Sequence, residues 1–138
     1  MNAADITSAV AGILIAITAI TALIIAWKQI SVLKEVSAIE AYEAYHELAI
    51  QYPEFSGGAD PESLSPLELE RYISFVLYVL MVGDRIYNLF PRSEEWRNTI
   101  ADDIDLHKGL ILSPYFDRYR EADWDIQHLI DRMIGAEK

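Results

Sequence analysis

Ile6 to Trp27 reads ITSAVAGILIAITAITALIIAW and contains no charged side chain. As a helix rising ~1.5 Å per residue it is about 33 Å long, enough to cross a hydrocarbon core of roughly 30 Å. Asp5 bounds it on one side and Lys28 on the other, and Trp27 stands at its end. There an indole finds apolar and hydrogen-bonding partners at headgroup level. A cleaved leader would need a basic n-region, a shorter apolar core and a small-residue cleavage site. The residues before the run, MNAAD, carry no Lys or Arg, and Lys28-Gln-Ile is no such site. The expectation is an uncleaved transmembrane anchor over residues 1–28. Lys28 and Lys34 follow the run and no cation side chain precedes it, so positive-inside counting places the N-terminus outside and the rest of the chain in the cytoplasm.

The span has two unlike faces. Around a helical wheel, Ile6, Val10, Ile13, Ile17, Ile20 and Ile24 share one sector. Ser8, Ala9, Ala11, Gly12, Ala16, Ala19, Ala22 and Ala26 spread over the opposite side, with Thr7, Thr18 and Thr21 on the flank between. Small residues let a neighbouring backbone approach closely, and threonine hydroxyls can bond across a helix–helix interface. Ser8, Gly12, Ala16, Ala19 and Ala26 are therefore the candidate packing face. Thr7, Thr18 and Thr21 are candidates for interhelical polar contacts, or for lining a pore in a ring of such helices.

Downstream, neither proline nor glycine interrupts Lys28 to Gln51, so the helix is expected to continue as a stalk (29–52) until Pro53. Pro53-Glu-Phe-Ser-Gly-Gly-Ala-Asp-Pro reads as a loop. Ser65-Pro66-Leu67-Glu68 has the N-cap, N1 proline and capping-box glutamate of a helix running to about Phe90, before Pro91. Ser93 is expected to cap a third helix to about Ile111, and Ser113-Pro114 to open a fourth ending at Gly135. Tyr72–Val82, YISFVLYVLMV, is too short to span a bilayer and reads as a helix buried on nearly all sides. Trp96, Ile100, Ile104 and Leu110 or Ile111 are the apolar face of the third helix. Tyr115, Tyr119, Ala122, Ile126, Leu129, Ile130 and Met133 are that of the fourth. Leu33, Ala41, Ala44 and Leu48 close the core from the first. The fold class is all-α: one transmembrane helix continuing into a small antiparallel bundle, with residues 53–138 as its cytoplasmic body packing on the stalk.

Composition narrows the function. Hydrophobic residues make up 52% of the 138-residue chain, which excludes a disordered tail. Eleven Lys+Arg against 22 Asp+Glu leave a net charge of −11, so nucleic acid is not an expected partner. No cysteine is present, hence no disulfide framework, thiolate metal site or thiol nucleophile, as suits a reducing compartment. Glu43-Ala-Tyr-His46 and Asp125-Ile-Gln-His128 have the acid-x-x-His spacing of carboxylate-bridged two-metal bundles. The apolar face of the fourth helix points His128 away from the core, and both pairs read as solvated. Arg97 to His107, and Arg118 or Arg120 to His128, are too far apart for the Arg–His pairing of HEPN-type nucleases. There is no G-x-S-x-G, phosphate-binding glycine loop or zincin motif. No catalytic residue, metal or cofactor is expected. Arg85, Arg118 and Arg120 remain as candidate contacts for an anionic ligand or an acidic partner, against the competing reading that they bond neighbouring carboxylates. Glu35, Glu40, Glu43 and Glu47 form a solvated acidic stripe.

The span Ile6–Trp27, the continuation through AYEAYHELAIQYPEF and the SPYFDRYREADW segment together resemble uncharacterised bacterial families of short proteins with one membrane span and an all-helical cytoplasmic domain. The layout is also similar to small membrane effectors that accompany CRISPR and other antiphage systems. The resemblance implies the bacterial inner membrane as location, and membrane lipid plus further copies or other membrane-protein subunits as partners. A non-enzymatic protein working by association is the expectation, with an oligomeric pore or membrane-disrupting effector as the alternative.

Overall fold

The computed structural model describes residues 3–120 and 130–131, and these are all-helical, without a strand among them. Helix α1 runs unbroken from Ala3 to Gln51. Nothing between Ile13 and Tyr52 can break it, since that stretch holds no proline and no glycine. It is the one described helix long and apolar enough to cross a membrane. The chain divides into two compact units, Met1–Ser37 and Ala38–Lys138. In the first, the described side chains from Thr7 to Val36 are all exposed.

The second unit is built around α3 (Pro66–Leu89). Its start has the expected reciprocal cap: the Glu68 N–H donates to Ser65 Oγ, and the Ser65 N–H donates to Glu68 Oε2 at 2.9 Å. Donation from the Ser65 hydroxyl and then from the Ser65 N–H holds the Glu68 carboxyl below the usual carboxylate range. Tyr72, Ile73, Phe75, Val76, Val79, Leu80, Val82 and Ile86 are buried along α3, while Ser74 and Met81 face out. Tyr72–Val82 is thus enclosed on most sides, as its length and composition require. Helix α4 (Glu94–Leu106), capped by Ser93 accepting from the Trp96 N–H, adds Ile100 and Ile104. Ala38, Ala41 and Tyr45 of α1 close the core.

Four expectations change. Leu33 is 66% exposed and takes no part in the core. It lies about 140° around α1 from Ala38, where burial begins, so the packed register is 38, 41, 45. The segment after Pro53 is not all loop: α2 (Pro53–Ser56) buries Phe55, and a 3₁₀ turn follows at Pro61–Ser63. The third helix does not reach Ile111 but breaks at His107, before α5 (Lys108–Ile111). The Leu110 N–H bonds to the His107 carbonyl, not to that of Leu106 as a continuous helix would require. Finally, Ser113-Pro114 opens a 3₁₀ turn, Pro114–Phe116, before α6 (Asp117–Arg120). Three residues per turn change the phase, so Phe116 is buried and Tyr115 faces out. Ile130 is buried as expected, whereas Ala122, Ile126, Leu129 and Met133 lie outside the described residues.

Gly58 lies against the end of α4. Its φ is +82°, and a Cβ built there would stand 2.1 Å from the Leu106 carbonyl oxygen. The loop backbone therefore rests against the end of α4 at a distance only glycine permits. Gly58→Ala is expected to destabilise this unit by at least roughly 1–2 kcal/mol from the left-handed backbone alone, with the clash adding to it. Gly57→Ala, at an open position with negative φ, should leave stability unchanged or slightly higher. Thermal unfolding of the two variants, followed by circular dichroism, checks the contrast.

Candidate functional site

The described side chains concentrate their polar chemistry in two places within the second unit. The first joins α1 to α4. Tyr42 donates its hydroxyl to Asp103 Oδ2 at 3.0 Å. Its ring meets the His46 ring edge-on at 4.6 Å and that of Trp96 at 5.6 Å. Residues 42 and 46 share a helix face by their i, i+4 spacing, which is why one turn of α1 presents both to α4. Burial pushes the Asp103 carboxyl up, and the Tyr42 hydrogen bond and the charge of His46 pull it partly back. Burial and the nearby Asp103 charge raise Tyr42, and burial pushes Tyr45 up to about 12. Both phenols are thus held neutral, and Tyr42 is the donor to Asp103. A void of about 10 Å³ lies beside Tyr42, Tyr45, Val79, Gly83 and Asp103, at the lower limit for a single water.

The second place is the α4–α5 break. His107 is fully buried there, and its Nδ1 lies 3.1 Å from the Tyr72 hydroxyl. The Tyr72 oxygen also accepts the Ala59 N–H at 3.0 Å, so one phenol joins the loop to the imidazole. The His107 Nε2 has no hydrogen-bond partner among the described residues. Burial among Phe75 and Tyr72 pushes the His107 pKa down to about 4. This network ties the Gly58–Ala59 loop, α3 and the helix break together.

In these networks Asp103 accepts from the Tyr42 phenol and His107 pairs with the Tyr72 phenol. Among the described residues no group of three or more His, Asp or Glu side chains gathers to hold a metal ion. Glu43 and His46 are both exposed, as are Glu35, Glu40 and Glu47; Asp125 and His128 lie outside the described residues. A surface groove of about 410 Å³ runs between α1 and α3, lined by Leu48, Tyr52, Leu67, Arg71, Phe75 and Tyr78 among others.

The residues singled out from the sequence are placed as follows. Ser8, Gly12, Ala16, Ala19 and Ala26 are exposed on α1, with Thr7. Thr18 and Thr21 donate their hydroxyls to the carbonyls of Leu14 and Ile17, each at 2.9 Å. Both are thereby satisfied inside their own helix. Arg85 stands on α3 and Arg118 on α6. The Arg118 guanidinium lies 4.5 Å over the Tyr119 ring centroid and donates to its hydroxyl. The Arg120 side chain lies outside those described. Sequence reading paired neither His107 with Tyr72 nor Asp103 with Tyr42. The one available signal was a lone histidine in phase with Ile100, Ile104 and Ile111. Comparison with protein-family models, with characterised proteins and with solved structures finds no match.

The two polar networks behave differently when perturbed. The unfolded chain takes up the His107 proton near its ordinary pKa of 6.5, and the folded one only near 4. Between these values the unfolded state binds more protons, so this contribution is complete above pH 6.5 and is lost as pH falls towards 4. Its size is roughly 3 kcal/mol. Asp103, raised by burial, works in the opposite sense: its native state keeps a proton that the unfolded state releases, so its contribution fades as pH rises. His107→Phe is expected to flatten the acid side of the stability profile between pH 6.5 and 4, read by urea unfolding at a series of pH values. Tyr42→Phe removes the donor to a half-buried carboxylate and should cost roughly 1–3 kcal/mol. It should also raise the Asp103 pKa further, measurable by carboxyl-carbon NMR titration.

Proposed function

We propose that this chain is a single-pass membrane protein that works by association, without catalysis. Ile6–Trp27 crosses the bilayer, the N-terminus lies outside, and Ala38–Lys138 forms an antiparallel helical interaction domain on the cytoplasmic face. The observation that carries the reading is α1 itself. From Thr7 to Val36 its described side chains are exposed, including Ile13, Leu14, Ile15, Ile17, Ile20, Leu23 and Ile24 at 53–70%. Apolar side chains on every side of a helix are stable only in lipid or against other apolar surfaces. The small-residue face of Ser8, Gly12, Ala16, Ala19 and Ala26 supports close packing against another span. Partners are lipid and further membrane-protein chains, this one included.

The hydroxyls of Thr18 and Thr21 are bonded back to their own helix, so neither proton requires an acceptor outside the span. Native mass spectrometry of the protein in nanodiscs tests the reading. The wild type should exceed its 15.7 kDa monomer mass. Gly12→Leu and Ala16→Leu should shift the population towards monomer, while Thr18→Leu leaves it unchanged. A wild type that is monomeric and takes up no other membrane protein from its native membrane would overturn it. Dye release from liposomes that is abolished by Thr18→Leu would favour the pore.

A further inference from the structure

We draw no further inference here: the strongest candidate, the surface groove between α1 and α3 lined by Leu48, Tyr52, Leu67, Phe75 and Tyr78, carries Glu70 and Arg71 together on its wall, so its charge selects no occupant, and nothing in the structure shows what covers it.

Discussion

One helix that cannot break sets the terms for the rest of the chain. After Gly12, α1 meets no glycine or proline until Pro53, so every interior backbone hydrogen bond of that stretch can be made. Its N-terminal half is apolar on all sides, and its last turns, from Ala38, are core. A single run of helical backbone therefore has to satisfy two environments, one that covers bare aliphatic side chains and one that the folded unit itself supplies.

The second of these is completed by side chains of an unusual kind for a small helical core. Alanines at 38 and 41 remove the bulk that would hold α1 away, and Tyr45 fills the remaining space. Tyr42 then reaches Asp103 across that close approach. A leucine at 42 would bury similar area but leave the carboxylate without its donor, so the phenol sets the register of α1 against α4. Tyr72 acts in the same way in the neighbouring layer, linking Ala59 to His107 through a single oxygen. Both pins are long-range in sequence, and both involve groups that burial keeps neutral.

The break at His107 follows from the same economy. Gly58 brings the loop backbone against the Leu106 carbonyl, and this contact lies where α4 ends. The helix re-forms one residue later through the His107 carbonyl. A fully buried, half-satisfied imidazole is the consequence.

The long apolar helix, the Ser65–Glu68 cap, the Ser93 cap and the buried run Tyr72–Val82 were all legible from the residues alone. Each depends on neighbours within a few positions, where period, capping chemistry and proline sterics act directly. The candidate site was not legible in the same way. Tyr42 and Asp103 are sixty-one residues apart and Tyr72 and His107 thirty-five, and no local rule pairs them. The same holds for Leu33, whose apolar character matched a core position until the helix phase set by Ala38 left it exposed. Local physics determined the long helices and where α3 and α4 start. Only the tertiary structure decided which face of α1 is buried, where α4 ends and which polar groups meet, because those depend on contacts between segments that the chain brings together only on folding.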